Sequence, residues 1–450
     1  MVVRGTTIVA LTAWFCAAAH GGELPAFPGA EGFGAVSVGG RGGRVIKVTN
    51  LNTEGPGSLQ AACDAEGPRI VVFETAGVIR GDVSIRHPYI TIAGQTAPSP
   101  GITIEGRLIA RPSSDERLHD IMARFLRFRP APTTGVSGDA VQLPKTERLI
   151  LDHLSLSWAN DETIDIIFSS EVTVQWCAIE ESDPTGHAKG VPHNYGILSA
   201  YQGSGNISIH HNLFAHQYRR CPSLSPQVPT KPGDFRNNVV YNFRDGLSHD
   251  GHIPKARVNL IGNYYKPGPS SERIYPFGLI KDGRYYVAGN YIEGIGDIGD
   301  PRDESVRFPR WVQYNRNGEM LTAPAKVAPV TTHSVQDAYG LVLAQAGCFP
   351  RDRVSRRTIE EVKTRTGKWA RNAPAKPSDE WFLAGLDVGE PTVDSDNDGM
   401  PDAWEKAHGL NKADGSDHNK VMDSGYTAIE KCINERAEAL IRKAIQAAKQ

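Results

Sequence analysis

Five side chains between residues 138 and 220 have the types and the order for metal-assisted proton chemistry. Asp139 lies in Gly138-Asp139-Ala140-Val141, and Asp161 and Asp165 lie in Asn160-Asp161-Glu162-Thr163-Ile164-Asp165. Lys189 follows in His187-Ala188-Lys189-Gly190, and Arg220 in Arg219-Arg220-Cys221-Pro222. Carboxylate oxygens suit Ca²⁺. Cations beside them suit an anionic substrate that must lose a proton. Each residue sits next to a short β-rich segment, so the five can meet only if those segments stack.

Calcium ligands lie about 2.3–2.6 Å from the ion, whereas residues four apart on a straight strand are separated by roughly 13 Å. Asp161 and Asp165 can therefore share an ion only if the chain bends between them. Ala159-Asn160 supports such a turn, ahead of a strand expected at 164–168. The alternative is that Asp161 caps a loop and Asp139 and Asp165 bind alone.

A repeat supplies the stacking. The pattern is apolar, two residues, a polar residue, one residue, apolar. It reads Leu149-Ile-Leu-Asp152-His-Leu154, Val174-Gln-Trp-Cys177-Ala-Ile179, Ile209-His-His-Asn212-Leu-Phe214, Phe235-Arg-Asn-Asn238-Val-Val240, Leu260-Ile-Gly-Asn263-Tyr-Tyr265 and Val287-Ala-Gly-Asn290-Tyr-Ile292. Steps between the polar positions are 25, 35, 26, 25 and 27 residues, and the long step marks an insertion loop between Glu180 and Tyr201. A coil of this length with several short strands is one rung of a parallel β-helix. The repeated Asn tolerates a left-handed bend, and its amide can bond to the next Asn in the stack. A sandwich of antiparallel strands would leave the recurring Asn without a reason.

The chain has 450 residues, with 49 Lys plus Arg against 51 Asp plus Glu, a formal charge of −2. No global field draws it to nucleic acid or to a membrane surface. Arg4, an apolar run over 8–15 and Ala17-Ala18-Ala19 read as a secretory signal over 1–20, so an exported protein, or a periplasmic one in a Gram-negative cell, is expected. Five cysteines remain beyond it, without zinc spacing or a disulfide framework. Cys177 and Cys221 can bridge if their rungs adjoin, and buried thiols serve equally well. The expected layout is a β-helix over 24–300, an irregular and helical extension over 301–388 with helices at 335–346 and 354–364, and a distinct tail over 389–450.

That tail holds a second signal. Asp394-Ser-Asp396-Asn-Asp398-Gly399-Met400-Pro-Asp402-Ala-Trp-Glu405 fits a twelve-residue calcium loop. Asp394, Asp396, Asp398, Asp402 and Glu405 fall at positions 1, 3, 5, 9 and 12, Gly399 makes the turn, and the Met400 carbonyl fills position 7. A weaker partner follows at Asp423-Ser-Gly-Tyr-Thr-Ala-Ile-Glu430. A structural Ca²⁺ that orders the tail is expected. Elsewhere, Arg124, Arg127 and Arg129 alternate with apolar residues like a solvated strand face, or a basic strip for carboxylates. Asp152, His153, His210 and His211 fall on the rung register and are expected to stack.

The opening Phe27-Pro-Gly-Ala-Glu-Gly-Phe-Gly-Ala35, then Gly39-Gly-Arg-Gly-Gly43, Val48-Thr-Asn-Leu-Asn52 and Gly55-Pro-Gly-Ser-Leu59, resembles secreted pectate lyases of the first polysaccharide lyase family. Gly94-Gln-Thr-Ala-Pro98, Asp152-His153, Ser157-Trp158, His210-His-Asn-Leu-Phe214, Asn237-Asn-Val-Val-Tyr241 and the acidic tail extend the resemblance over most of the mature chain. It implies a right-handed parallel β-helix and Ca²⁺-dependent β-elimination of α-1,4-linked galacturonan. By position it implies calcium ligands at Asp139, Asp161 and Asp165, a substrate-binding Lys189 and a catalytic Arg220. Ser137 and Ser225 depart from it, standing where some members carry an acidic ligand and a second arginine. A free guanidinium has a pKa above about 12, so either a desolvated Arg220 takes the proton or hydroxide does so beside it. The expected partner is an anionic cell-wall polysaccharide, pectate, met by a monomer. A polygalacturonase-type hydrolase on the same fold would use acid and base carboxylates and leave Arg220 and Lys189 without a reason. A non-catalytic carbohydrate-binding β-helix is the other rival.

Overall fold

The computed structural model describes residues 24–114, 117–131, 135, 137–190, 192–303, 307–315 and 317–448. The expected secretory signal lies outside the described residues.

Successive coils give short strands to three long sheets, and Asp245–Leu247 and Tyr275–Phe277 form a fourth, two-stranded one. The eleven-stranded sheet runs from Arg44–Val48 to Glu319–Met320, the ten-stranded sheet from Gly77–Arg80 to Gly296–Ile298, and the six-stranded sheet from Val83–Ile85 to Ser223–Leu224. The coils pair in parallel, and the closing pair Asn290–Ile292 with Gly296–Ile298 is antiparallel. This is the right-handed parallel β-helix. Register makes its core a stack. Val71, Ile92, Ala123, Leu151, Val174, Ile209, Phe235, Leu260 and Val287 pair in one continuous row, and all are buried. Each coil alone could not bury such a face; the stack does.

The Asn ladder forms at the corner between the two longer sheets. Asn212 Nδ2 donates to Asn238 Oδ1 at 3.0 Å, Asn238 Nδ2 to Asn263 Oδ1 at 3.1 Å, and Asn263 Nδ2 to Asn290 Oδ1 at 2.9 Å. Two details differ from expectation. The left-handed residue is the one before each ladder Asn: His211, Asn237, Gly262 and Gly289 have φ of 56°, 52°, 62° and 61°. The ladder Asn themselves are spared the left-handed bend, and their amides bond along the stack. Asp152 is also not a ladder residue. It pairs with Arg124 and Gln175, Gln175 pairs in turn with His210, and register puts Leu154 opposite Cys177. The first repeat is therefore read two residues early, and Asp152 instead holds Arg124 at 2.8 Å.

The helices Val335–Gln345 and Arg353–Thr364 form as the sequence predicts. They cover a flank rather than stand apart. Arg124, Arg127 and Arg129 are buried, contrary to the solvated-face expectation. Arg129 forks onto Asp352 at 3.1 Å, and Asp352 itself caps the Arg353–Thr364 helix through Ser355 N–H. Arg127 donates to the Pro100 and Pro350 carbonyls. His210 and His211 are buried in the eleven-stranded sheet and its corner, with the His211 ring stacked 4.4 Å from Trp176. The five described cysteines are buried free thiols. Among the described residues no helix is long and apolar enough to cross a membrane.

Asn238→Ala removes the acceptor for Asn212 N–H and the donor to Ile209 C=O, both buried. Unsatisfied buried groups cost roughly 1–3 kcal/mol each. We expect equilibrium urea unfolding to show a loss of at least about 2 kcal/mol; an unchanged midpoint would mean that the ladder does not hold the coils.

Candidate active site

The site residues lie along the six-stranded sheet. Glu162 pairs with Tyr195, and Val141 pairs with Ile164, which puts Asp139 in the same row two residues earlier. Glu162 N–H donates to Asp139 Oδ1 at 2.9 Å. Asp161 sits in the bend just before the strand Glu162–Asp165, so strict alternation does not yet apply and both neighbours reach one place. That strand begins two residues earlier than the expected 164–168. Asp139, Asp161 and Glu162 each offer a carboxylate oxygen within 4.8 Å of the others. Asp165 is outside that group, and its Oδ1 accepts from Ile167 N–H at 2.9 Å. Its charge still acts there: burial, then Asp165 and Asp161, push the Asp139 carboxyl well above the usual range. Burial, with help from Asp161, pushes Asp165 up to about 6.

Arg220 reaches the cluster through a bulge. Tyr195 pairs with Arg219, yet three residues later Leu198 pairs with Ser223. One extra residue is taken up between them, and Arg220 has a φ of 59°. The Arg219 and Arg220 carbonyls accept from Gly196 N–H at 3.0 Å and Ile197 N–H at 2.8 Å. A bulge of this kind re-aims a side chain. Here it turns the guanidinium over the Tyr195 ring, 4.7 Å from its centroid, and between two carboxylates. Nη1 pairs with Glu162, and Nη2 donates to Asp250 at 2.8 Å. Asp250 is braced in turn: Ser223 Oγ donates to it at 2.6 Å, and its N–H donates to Ser225 Oγ at 2.9 Å. Ser225 thus holds the arm that holds Arg220. Ser137, the other departure, is exposed.

Lys189 is exposed on the insertion loop, which spans 181–194. Its backbone N–H donates to His187 Nδ1 at 3.2 Å, and His187 Nε2 lies 3.4 Å from Asp161 Oδ2. The His187 and His193 rings stack at 3.6 Å. The loop that carries the lysine is thereby tied to a carboxylate of the cluster.

Sequence reasoning missed Glu162, Tyr195 and Asp250. Glu162 carried a signal in its adjacency to Asp161. Tyr195 and Asp250 depend on register across an insertion and on a bulge, which no spacing shows.

The donors that Asp139, Asp161 and Glu162 offer fit calcium: all three are carboxylate oxygens, which suits a hard cation. The cluster is over-anionic, since Arg220 and the nearby Arg107 face Asp139, Asp161, Glu162 and Asp165. A divalent cation would relieve the repulsion that adds to burial in raising Asp139 and Asp165.

The chain is thus a parallel β-helical protein with an acidic cluster and a cation on one sheet. The sequence is 34% identical over 421 residues to a probable pectate lyase C of Aspergillus fumigatus, covering 90% of this chain and 92% of that one. It is 34% identical over 430 residues to one of Aspergillus terreus, covering 91% and 94%. The fold is similar to that of a thermostable pectate lyase, with a TM-score of 0.51, 14% identity and coverage of 71% of this chain and 96% of that one. No family model matches the sequence. The chain belongs to the pectate lyase family.

The raised carboxyls fix a pH dependence. Asp139 and Asp165 bind protons in the folded chain at pH values where the unfolded chain has released them. Their contribution to metal-free stability therefore falls as pH rises from about 4 toward about 6, by at most about 1.4 kcal/mol per pH unit for each group. Burial lowers His210, His211 and His249, which act in the opposite sense over the same range. The sign is therefore read as a difference: in chelator, thermal unfolding of the wild type should lose ground to Asp165→Asn as pH rises, and a difference that does not change with pH would show that the cluster is not carrying this repulsion.

Proposed function

We propose that this chain cleaves α-1,4-linked galacturonan, pectate, by Ca²⁺-dependent β-elimination and leaves 4,5-unsaturated oligogalacturonides. The observation that carries the reading is the bulge that sets Arg220 between Glu162 and Asp250 beside the carboxylate cluster. The name of the 34%-identical relatives supplies the substrate.

In the reaction the C5 proton is removed, the C4–O bond breaks, the departing oxygen takes a proton and a C4–C5 double bond remains. Asp139, Asp161 and Asp165, joined by Glu162, would hold the Ca²⁺. When bound there, Ca²⁺ neutralises the uronate carboxylate and so acidifies the neighbouring C5 proton. Lys189 binds a second anionic group of the polymer from the insertion loop. Arg220 faces the reacting proton. Its two carboxylate partners favour a guanidinium that steadies the developing negative charge while hydroxide takes the proton. Arg220 as the base itself requires that Glu162 turn to the metal and release it. Both routes raise the rate toward alkaline pH. Asp250 and Ser225 position Arg220 and do not touch substrate. The tail loop contributes no chemistry. An exported enzyme acting as a monomer is consistent with this substrate.

The test is the ultraviolet absorbance of the new double bond on polygalacturonate, with calcium and with chelator. We expect a calcium-dependent rise, reduced by at least about a thousandfold in Arg220→Ala. Glu162→Gln is expected to weaken calcium by about tenfold while the fold is kept. Reducing ends without the absorbance would replace elimination by hydrolysis. Saturable binding without either signal would make the chain a binding module.

A further inference from the structure

A wholly buried carboxylate, Glu405, lies in the C-terminal tail, and neither of its oxygens has a hydrogen-bond donor among the described residues. Asp396 Oδ2, Asp398 Oδ2 and Asp417 Oδ1 are buried and without a donor in the same way. Asp394, Asp396 and Asp398 form one group whose oxygens lie within 4.8 Å, and Asp398, Glu405 and Asp417 form another. Asp398 belongs to both. A buried carboxylate without a partner is strongly disfavoured, and burial together with the aspartates around it pushes Glu405 up to about 7.

The donor set is not the one that the loop spacing gives. Asp402 is outside both groups and is engaged elsewhere. Its oxygens accept from Ser395 N–H and Ser395 Oγ, both at 2.8 Å, and from Lys412 Nζ at 3.1 Å. Asp417, twelve residues beyond Glu405, takes a place in the cluster instead. Its Oδ2 accepts from Asn411 N–H at 3.0 Å, which leaves Oδ1 turned to the cluster. The weaker acidic run ending at Glu430 has other work. Glu430 accepts from Thr427 N–H at 2.9 Å and pairs with Arg41 at 2.7 Å, as a capping box closing the start of the helix Ala428–Ala448.

We infer that Asp394, Asp396, Asp398, Glu405 and Asp417 form a second calcium site, which latches the C-terminal helix Ala428–Ala448 onto the first coils of the β-helix. All five donors are carboxylates, which suits Ca²⁺ over a metal that prefers nitrogen or sulfur. The latch follows from what the loop touches. Met400 is buried with Ile70 and Val72 of the coils and with Ile429, Cys432 and Ile433 of the helix. Gly399, at φ 91°, lies so close to the first strand that a Cβ would stand 2.7 Å from Val45. Lys47 donates to Asp394 at 3.0 Å, and Asn419 Nδ2 to the Gly43 carbonyl at 3.3 Å. Trp404, beside Glu405, donates to Glu435 of the helix at 2.7 Å. Drawing 394–405 and 417 around one ion therefore sets both the coil-facing and the helix-facing contacts. The site stands independently of the proposed elimination.

The test uses the full chain, stripped with chelator and titrated with Ca²⁺, followed by calorimetry, by thermal melting and by tryptic release of the C-terminal helix. We expect calcium to raise the melting temperature and to slow release at least about tenfold. Glu405→Gln and Asp417→Asn should lose both effects. Glu405→Gln, which removes the buried charge, should melt no lower than the wild type in chelator, so loss of the response is not misfolding. Asp139→Asn, which lies in the other cluster, should keep both effects while losing eliminative activity. The inference is overturned if Glu405→Gln and Asp417→Asn respond to calcium as the wild type does. It is likewise overturned if only Asp139→Asn abolishes the response, or if release is the same with and without calcium.

Discussion

Parallel register between coils is the constraint on which the rest of this structure depends. Neighbouring strands sit about 4.8 Å apart, so residues separated by a whole coil become side-chain neighbours. Asp139, Glu162 and Tyr195 become one row only because the strands at 141, 162 and 195 pair without a slip. A slip of one residue would turn each of these side chains to the other face. The stacked aliphatics inside and the Asn ladder at the corner resist that slip, since each would lose partners together. The chemistry outside is therefore held by packing inside.

A fixed row also has a cost. It can bring like charges together, and here it does. The same register that gathers Asp139, Asp161 and Glu162 pushes the Asp139 carboxyl well above its usual range. The fold tolerates this because the coils on either side are well packed. One local departure from register, the bulge at Arg220, brings a cation into the row. Straight pairing through that point would place Arg219 alone opposite Tyr195; the extra residue aims Arg220 at Glu162 as well.

Much of this was legible in the sequence, for physical reasons. The coil repeat, the insertion loop and the two extension helices follow from periodicity and caps, which are local. The ladder Asn was legible as a repeat but not as a conformation, because the bend falls on His211, Asn237, Gly262 and Gly289 before it. The slip at Asp152 arose where the ladder position is Leu154 and no amide marks it. Arg124, Arg127 and Arg129 alternate as a solvated face would. Only the helices packed over them, 223 residues away in the case of Arg129 and Asp352, make that face interior. Asp417 was hidden likewise, since a loop motif ends at its twelfth residue and says nothing of a carboxylate brought back by a later turn.

The two acidic clusters share donor chemistry but differ in what surrounds them, and the difference underlies the roles proposed for them. Burial does not separate them: Asp139 and Glu162 are buried near Arg220, as Asp398 and Glu405 are in the tail, and each cluster keeps partly exposed members in Asp161 and in Asp396 and Asp417. Near Arg220 the neighbours are a cation whose side chain is 18% exposed and a loop that carries the exposed Lys189. A metal held there would sit beside groups that can meet an anionic polymer. In the tail the neighbours of the loop are Val45, Val72 and Ile429, which belong to a coil and to the C-terminal helix. A metal held there would draw those two elements together, so that its binding energy is spent on folding. The carboxylates alone would not separate the two, and their neighbours do.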